Sequence, residues 1–434
     1  MNGIAMLRPR ASWFSAPNLF AAGLFCLVTG VGFGAKPIAA GQVFLVAAFL
    51  KAFLERGRST FSSKPWRPSA WCLAAFLLVS LLSILANLEV VANPWEHLGK
   101  LRYPAFVLLL SGMPWLVREV LPQPWRRDTL VLAWFVPLAL AIVAGLSGWW
   151  TGHHPVLGEG VVDIRRVSGL YGQVMTFAYS LQFTVILLAT FTLLPRQWGT
   201  VTRLPWWMVL VMLALGGGAL YLTYTRGAML GAATGFAVIA TMRSWKLSLL
   251  VVGIAVAGAL VARADGARYL DTKIDIRGNQ WKAAALSFLE RPVFGWGYRN
   301  FELHSAEIKE RYGFEKDVVR KRGQPKQVIY FQGHAHNNYL EAFASTGFAG
   351  GIAFLAFCLC WLREARRHPH PLFFVPGVCA FLVSGCFENT FFDSEVLNCL
   401  LLFYLFMQWT GEEGCRESNT LTDPRQALPS EPSA

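Results

Sequence analysis

Long apolar runs separated by short polar segments dominate the chain, and their lengths predict helices that cross a membrane. An α-helix needs about 20 consecutive apolar residues to cross the hydrocarbon core of a bilayer. The pattern therefore predicts an all-α polytopic membrane protein with about twelve transmembrane helices. The runs lie near residues 18–35, 38–55, 69–87, 103–117, 129–147, 172–194, 205–224, 227–242, 247–262, 338–362, 371–387 and 395–410.

The density of positive charge alternates between successive short connections, and this alternation predicts the orientation in the membrane. Short cytoplasmic loops retain Lys and Arg. If the N-terminus is cytoplasmic, the inner short segments hold seventeen Lys and Arg residues, whereas the outer ones hold six. The sequence therefore predicts that both termini are cytoplasmic and that the longest connection is on the opposite, outer side.

That longest connection, residues 264–335, carries thirteen Lys and Arg and nine Asp and Glu, a net charge of +4. A loop of this length is usually functional or disordered. Apolar residues recur at helical spacing in its first half, which predicts an amphipathic helix that ends at Pro292. The segment 294–298 then predicts a turn, and 320–326 is expected to be mobile. The apolar residues are Trp281, Ala284, Ala285, Phe288 and Leu289.

These patterns divide the chain into four regions. Transmembrane helices 1–9 are predicted within residues 1–263, the large outer loop in 264–335, and helices 10–12 within 336–410. Residues 411–434 are predicted to be a cytoplasmic tail, which is disordered because it is polar and rich in Pro and Ser.

Composition agrees with a membrane protein and excludes an ordinary soluble one. The chain is 54% hydrophobic and 15% charged, and its mean hydropathy is +0.41. In soluble domains roughly 45–50% of the residues are hydrophobic and about 25% are charged. A net charge of +13 would indicate nucleic acid in a soluble protein. Here membrane topology and an anionic substrate account for it, so we expect no nucleic-acid partner. The eight cysteines show neither disulfide-framework nor zinc spacing.

Arginines gather at the predicted outer ends of the helices. Charges are costly inside lipid, so such a cluster indicates a functional site. A single arginine at this depth can instead anchor its charged end among the headgroups, and for Arg165 taken alone the two interpretations are equally good. The cluster consists of Arg165, Arg166, Arg226 and Arg277.

Arg226 has the clearest signal of the four, because Thr225 and Arg226 alone separate two apolar runs. A guanidinium desolvated in so short a turn needs an anionic partner. Few acidic residues are near it in the sequence, which favours a ligand as that partner. Guanidinium groups from several loops suit a diphosphate, because each can donate a bidentate pair of hydrogen bonds to phosphate oxygens.

The densest polar motif, Gly333-His-Ala-His-Asn-Asn-Tyr-Leu340, lies where the long loop re-enters the membrane. Histidine exchanges protons near neutral pH, which suits a general base at this interface. The alternative is that both histidines are interfacial polar residues, with His336 or Asn337 capping the next helix. We favour that alternative for His334. Gly347 and Gly350 would lie on the succeeding turns and permit close helix packing.

The sequence offers little support for a metal centre. His334 and His336 have no carboxylate or thiolate ligand near them in the sequence, and the chain contains no Asp-x-Asp motif. Arginine would then have to stabilise a diphosphate leaving group. We therefore expect neither a metal nor another cofactor.

Two motifs resemble the O-antigen ligase family of Gram-negative inner membranes, within the wider O-antigen ligase/polymerase superfamily. The more specific one follows the large outer loop, as it does in the family. The resemblance covers roughly residues 18–410. The motifs are Arg226-x3-Leu230 and His336-Asn337 followed after nine residues by Gly347-x2-Gly350, with a looser match at Arg277-Gly-Asn-Gln-Trp281 and Pro292-Val-Phe-Gly-Trp-Gly297.

The resemblance implies a membrane-embedded, GT-C-like glycosyltransferase that needs no metal and inverts the anomeric carbon. Such an enzyme transfers O-antigen glycan from undecaprenyl diphosphate to a sugar hydroxyl of the lipid A core oligosaccharide. Its active site faces the periplasm from the bacterial inner membrane, and membrane lipids surround its helices.

The resemblance also implies a role for each candidate residue. His336 would be the general base that activates the acceptor hydroxyl. Arg226 and Arg277 would bind the diphosphate and stabilise the charge that grows on it, with Arg165 and Arg166 as additional contacts. The residues that would support the site are Asn337, Tyr339, Trp281, Gly347 and Gly350.

Three other functions stay open at this point. An O-antigen polymerase uses the same donor with a lipid-linked glycan as acceptor, and a protein O-glycan ligase uses a protein side chain. The spaced His336-Asn337 and Gly347-x2-Gly350 pattern favours the ligase. A secondary transporter usually shows internal repeats and ionisable groups near the midplane of the membrane. This chain shows no repeat, and its ionisable groups gather at one face.

Overall fold

The computed structural model describes residues 14–57, 66–91, 93–158, 166–244, 246, 249, 276–319 and 327–421, which are mainly α-helical. The predicted all-α class is therefore confirmed. The helices are α1 (Ala16–Phe33), α2 (Ala35–Arg56), α3 (Pro68–Ala86), α4 (Pro94–Ser111), α5 (Pro114–Val120), α6 (Pro124–Thr151), α7 (Val174–Leu193), α8 (Pro195–Val201), α9 (Trp207–Leu222), α10 (Arg226–Arg243), α11 (Ile276–Glu290), α12 (Phe301–Arg311), α13 (Asn338–Arg367), α14 (Pro371–Ser384) and α15 (Ser394–Leu421).

Six of the described helices, α1, α2, α3, α6, α7 and α13, are long and apolar enough to cross a membrane. Two further helices, α9 and α14, and the first part of α15 are also apolar, but they are shorter than these six. The protein is therefore a polytopic helical membrane protein. The number of about twelve spans stays a prediction, since the run at 247–262 falls almost entirely outside the described residues.

The run predicted at 103–117 is not one helix. It is divided between α4 and α5, which are separated at Gly112 and Met113, and Pro114 begins the second helix. Proline has no N–H to donate and is tolerated at the start of a helix, so a new helix begins there. The other end also differs, because α4 already begins at Pro94, where the Asn93 side chain accepts from the first-turn N–H of Glu96.

The last helix also differs from the prediction. α15 continues to Leu421, past the predicted start of a disordered tail at residue 411. This stretch holds three Glu and one Arg, which are good helix formers despite their polarity. Residues 422–434 of the predicted tail lie outside the described residues.

The main hydrophobic core joins helices from both ends of the chain. α1 packs against α2 and α6, α13 packs against α3, and α10 packs against α14. Phe76 of α3 and Phe354 of α13 form an aromatic cluster with Phe391 and Phe392, with ring centroids 4.9 to 6.3 Å apart. The connection between α14 and α15, which carries these last two rings, is therefore anchored in the core.

The outer segment between α10 and α13 has a small core of its own. The predicted amphipathic helix is confirmed as α11, but its buried face comprises Gln280, Ala283, Ala284 and Ser287. Leu289, which the prediction placed on the apolar face, is 68% exposed. The observed face thus includes a polar side chain, and Gln280 Nε2 donates to the carbonyl oxygen of Phe331 at 3.2 Å.

A buried ion pair holds the chain as it leaves this segment toward α13. Lys309 Nζ lies 2.7 Å from Asp317 Oδ2, and both side chains are fully buried. Lys309 also donates to the carbonyl oxygen of Phe331 at 3.0 Å, and the Phe331 N–H donates to Asp317 at 3.0 Å. Asp317 begins a short antiparallel pair of strands, β1 (Asp317–Val319) and β2 (Gln327–Ile329). These contacts fix the backbone three residues before His334.

The predicted turn at 294–298 is confirmed, and it packs against α13. The Trp296 N–H donates to the Ala344 carbonyl oxygen at 3.0 Å. Gly347 has φ +70° within α13, and a Cβ atom there would overlap the backbone of Val293. Gly347 thus interrupts α13 so that the outer turn can approach it. Close packing between helices is predicted for both glycines. Gly350 permits it, since a Cβ there would lie 3.3 Å from Val79 of α3, whereas Gly347 contacts the outer turn instead.

We expect Gly347→Ala to lower the free energy of unfolding by about 1–3 kcal/mol, because alanine disfavours the left-handed conformation and its Cβ overlaps the outer turn. Thermal unfolding of the purified protein in detergent measures the change. Gly218→Ala is the matched control, since no atom lies within 4 Å of a Cβ built there in α9. Equal transition temperatures for the two variants would contradict this account of the helix break.

Candidate active site

His334, His336 and Glu388 form a compact polar centre at one end of the helical bundle. His334 Nε2 and His336 Nδ1 each lie 2.8 Å from the same oxygen, Glu388 Oε1. The two imidazole ring centroids are 4.2 Å apart. The Glu388 side chain is 8% exposed and that of His336 is 16% exposed. The centre is thus a nearly enclosed carboxylate shared by two imidazoles.

Sequence reasoning did not single out Glu388. It follows the apolar run of α14 directly and lies 52 residues after His336. The available signal was its position, because an acidic residue beside a predicted span is costly without a partner. That signal does not name the partner, which depends on how α14 packs against α13.

The backbone at His336 is held in an unusual conformation. Its φ is +49°, a left-handed value that costs a non-glycine residue energy and often marks a functional position. The next residue, Asn337, caps α13: its Oδ1 accepts from the N–H groups of Tyr339 and Leu340 at 2.9 and 3.0 Å. The predicted cap is therefore Asn337, which leaves the His336 ring directed at Glu388.

Two asparagines, Asn337 and Asn338, connect the start of α13 to the turn that carries Glu388; we call them the asparagine clamp. Asn337 Nδ2 donates to the carbonyl oxygen of Cys386 at 3.0 Å. The Asn338 N–H donates to the Gly385 carbonyl at 2.7 Å, and its Oδ1 accepts from the Phe391 N–H at 2.9 Å. The clamp thus forms hydrogen bonds to the turn on both sides of Glu388 and so places the carboxylate opposite the imidazoles.

Glu341 of α13 holds the residue between the two histidines. Its Oε2 accepts from the N–H of Ala335 at 2.9 Å, and its Oε1 accepts from the Ser345 hydroxyl at 2.8 Å. Glu341 is 1% exposed. A buried carboxylate with two hydrogen-bond donors thus fixes the backbone from which both imidazoles project.

The charge of Glu388 sets the protonation pattern of the centre. Burial alone would raise the pKa of Glu388, but the hydrogen bonds from His334 and His336 outweigh burial and hold that pKa well below its usual value. Burial would lower the pKa of His334, yet its hydrogen bond to Glu388 and the carboxylate charge raise it. Because an ionised carboxylate only accepts, His336 carries its proton on Nδ1 when neutral, and its Nε2 has a free lone pair.

Arg277 lies in the first turn of α11 and approaches the same carboxylate. Its Nη2 is 3.8 Å from Glu388 Oε2, and its side chain is 34% exposed. The structure therefore brings Arg277 and His336 to opposite oxygens of one carboxylate, although 59 residues separate them in the chain.

Arg226 is the first residue of α10, and its side chain is exposed. The short connection is confirmed, but the protein does not enclose this charge, contrary to the sequence argument for desolvation. Arg166 braces the connection: its Nε donates to the Thr223 carbonyl oxygen at 2.6 Å, and its Nη2 donates to Thr225 Oγ1 at 2.9 Å. Arg165 lies outside the described residues.

The first turn of α10 lies beside the turn that carries Glu388. A Cβ at Gly227 would overlap the hydroxyl of Tyr179 and lie 3.1 Å from Cβ of Phe387, the residue before Glu388. Among the described residues, the side chain of Thr225, at the N-cap of α10, makes no capping hydrogen bond to the first turn of α10. The electropositive N-terminus of α10, with Arg226 on it, is therefore adjacent to the histidine centre.

Of two further predicted residues, Tyr339 and Trp281, one has a contact that supports the packing. The Tyr339 hydroxyl donates to the Leu382 carbonyl oxygen at 2.8 Å and so joins α13 to α14. Trp281 is half-buried on α11, and its Nε1 has no hydrogen-bond partner among the described residues. The first contact explains a supporting role for Tyr339, and nothing in the described structure assigns one to Trp281.

A cavity of about 250 Å³ adjoins the centre, and His334 and Glu388 form part of its wall. A wider, open depression of about 500 Å³ lies on the outer segment around Trp296, away from both histidines. The remaining residues that line the smaller cavity are Gln173, Met175, Thr176, Tyr179, Arg299, Glu302, Asn389, Thr390, Phe392, Asp393, Ser394, Glu395 and Val396.

The geometry corrects the sequence argument against a metal. That argument found no carboxylate near His334 and His336, whereas Glu388 meets both, and the three ligand atoms lie within 4.8 Å of one another. Two imidazole nitrogens and a carboxylate oxygen are a donor set that divalent transition metals accept. In the structure the same three atoms are joined by hydrogen bonds. The three side chains can therefore transfer protons among themselves, or they can bind a metal ion through the same atoms.

No curated protein matches the chain. A family described as O-antigen ligase matches residues 207–355, which extend from α9 to the middle of α13. This segment contains Arg226, Arg277, His336 and both glycines of the motif, while Glu388 lies beyond it. The resemblance that the motifs indicate is thus confirmed over residues 207–355, where the chain is similar to the O-antigen ligase family.

Proposed function

We propose that the protein is an O-antigen ligase that transfers O-antigen polysaccharide from undecaprenyl diphosphate to the lipid A core oligosaccharide in lipopolysaccharide assembly. One observation carries the proposal: a base candidate, His336, and a diphosphate-binding candidate, Arg277, meet at the carboxylate of Glu388. The family match over the same part of the chain supports this assignment of roles.

In the proposed reaction, neutral His336 accepts a proton on Nε2 from the acceptor hydroxyl. The hydroxyl oxygen attacks the anomeric carbon of the donor sugar as the bond from that carbon to the diphosphate oxygen breaks, with inversion. The electron pair leaves with undecaprenyl diphosphate. Glu388 accepts the hydrogen bond from Nδ1 and stabilises the imidazolium that forms.

The diphosphate would bind between the first turns of α10 and α11. Arg226 begins α10, and Arg277 lies in the first turn of α11. Guanidinium groups and the N–H groups of a helix N-terminus both stabilise the negative charge that grows on a departing diphosphate. Arg166 acts in this scheme chiefly by bracing the turn before Arg226, and Arg165 is an additional contact.

The membrane setting follows from the apolar helices and the distribution of Lys and Arg. We propose a GT-C-like bundle of about twelve spans in the inner membrane, with cytoplasmic termini and the outer segment in the periplasm. Lipid surrounds the helices, so the polyprenyl chain of the donor lies in hydrocarbon while its diphosphate reaches the arginines. No nucleotide is available outside the membrane, so the donor's own sugar–diphosphate bond supplies the energy.

We predict that purified protein, reconstituted with lipid-linked O-antigen and lipid A core, produces a glycan-extended lipid that is visible as a size shift on a gel. His336→Ala should abolish transfer and leave donor binding largely intact, because the base acts on the acceptor. His153→Ala, at an exposed histidine after α6, is the matched control and should transfer normally. Extension of lipid-linked glycan or of a protein acceptor instead would identify a polymerase or a protein O-glycan ligase.

The pairing of Glu388 with His334 should make stability depend on pH. The raised pKa of His334 contributes stability that is complete below its unfolded value of about 6.5 and is lost as pH rises through the folded pKa. The depressed pKa of Glu388 contributes above about 4.3 and is lost only in stronger acid. Glu388→Gln should therefore lower the unfolding temperature more at about pH 5.5 than at about pH 9.

Glu55→Gln is the control for this experiment, because Glu55 forms an exposed ion pair with Lys51. Such pairs contribute little to stability, so this variant should unfold like the wild type at both pH values. An equal effect of Glu388→Gln at the two pH values would show that the carboxylate does not hold His334 in its charged form.

Metal independence is a separate prediction, and the donor set of His334, His336 and Glu388 makes it a sharp one. If the three side chains act through hydrogen bonds, extensive treatment with EDTA leaves the rate of transfer unchanged. Loss of transfer that Zn²⁺, Mn²⁺ or Mg²⁺ restores would instead identify the centre as a metal site. Bound metal in the untreated protein, measured by mass spectrometry, gives an independent readout.

A further inference from the structure

The cavity beside the histidine centre is the feature that the proposed reaction leaves unused. At about 250 Å³ it is smaller than the roughly 300–1,000 Å³ of pockets for drug-sized ligands, so it takes one small group. Its wall is acidic, because four carboxylate side chains line it, whereas Arg299 is the one arginine or lysine among the described residues that do so. The acidic residues are Glu302, Glu388, Asp393 and Glu395.

Three buried polar atoms of the cavity residues have no hydrogen-bond partner within the described part of the protein. They are Tyr179 Oη, Glu388 Oε2 and Asn389 Oδ1, in residues that are 1%, 6% and 7% exposed. Arg277 approaches Glu388 Oε2 only to 3.8 Å, beyond hydrogen-bond distance. Buried polar atoms without partners are costly, so a ligand that donates hydrogen bonds fits this wall.

The charges around the centre differ on its two sides and restrict the chemistry of that ligand. Arg226 and Arg277 lie with two helix N-termini, where the proposed diphosphate binds. The cavity instead presents carboxylates, which repel a phosphate or a carboxylate and accept hydrogen bonds from hydroxyl groups. Met175, Phe392 and Val396 add apolar surface to the same wall. An uncharged, hydroxyl-rich ring with an apolar face matches these properties.

We propose that this cavity is the acceptor subsite and that it takes the uncharged sugar ring that bears the reacting hydroxyl. Glu302 and Asn389 accept hydrogen bonds from the other hydroxyls of that ring. His334 lines the cavity, and its ring centroid is 4.2 Å from that of His336, so a ring bound there lies beside the proposed base. This inference rests on the proposed function, and it adds that the reacting sugar carries no phosphate or carboxylate.

Binding of core oligosaccharide, released from lipid A, to the purified protein tests the proposal by isothermal titration calorimetry without any turnover. We expect Glu302→Gln and Asn389→Ala each to weaken binding about tenfold, the size of effect of one lost hydrogen bond to a charged or buried group. In the transfer assay the same variants should raise the KM for acceptor and leave the KM for the lipid diphosphate donor unchanged.

The matched control is Glu307→Gln, the same substitution on the same helix, α12, at a residue outside the cavity that forms an exposed ion pair with Arg311. It should bind core oligosaccharide like the wild type. Unfolding temperatures equal to that of the wild type confirm that the cavity variants are folded; Asn389 loses no side-chain partner of its Oδ1 on substitution.

Wild-type affinity in both cavity variants would overturn the subsite, and so would an increase in the KM for donor instead of acceptor. Failure of the wild type to bind core oligosaccharide would overturn it as well. Failure of the proposed function is a different result, in which the wild type binds the oligosaccharide but transfers no glycan to lipid A core from the lipid diphosphate.

Discussion

The structure of this site depends on one buried carboxylate, that of Glu388, shared by two imidazoles. A carboxylate removed from water is stable only when it is paired and hydrogen-bonded. Its partners, His334 and His336, come from a strained entry to α13, so the pairing has to be enforced from outside. The asparagine clamp, Asn337 and Asn338, supplies that constraint by binding the Glu388 turn on both sides.

The outer segment and the bundle cooperate to hold the histidines in register with this turn. On the outer side, the buried pair of Lys309 and Asp317 fixes the chain at Phe331. On the membrane side, Phe391 and the ring next to it anchor the Glu388 turn in the aromatic core. The break at Gly347 lets the outer segment pack directly on α13. The histidines therefore lie where two independently packed layers meet.

The distribution of charge around Glu388 gives the site two chemically different sides. One side has Arg226, Arg277 and the N-termini of α10 and α11, which suit an anion. The other is the acidic cavity around Glu302 and Asn389, which suits hydroxyl groups. The proposed glycosyl transfer from a lipid diphosphate to a sugar hydroxyl needs both environments within reach of the proposed base. The carboxylate of Glu388 contacts residues on both sides, because one of its oxygens orients His336 and the other lies beside Arg277.

The sequence alone determined the helical membrane class, most helix positions and the amphipathic α11, and it singled out His336 and Asn337 as candidates, because these follow from local periodicity and short motifs. It erred where the prediction needed partners distant in the chain. The buried face of α11 includes Gln280, whose side-chain Nε2 donates to the carbonyl oxygen of Phe331. Only the packing of α14 against α13 brought Glu388 to the histidines, 52 residues away, and so revealed the carboxylate that sequence reasoning found missing. A hydrogen bond forms only when its donor and acceptor atoms come within about 2.7–3.2 Å of each other, and these residues reach such distances only once the helices have packed.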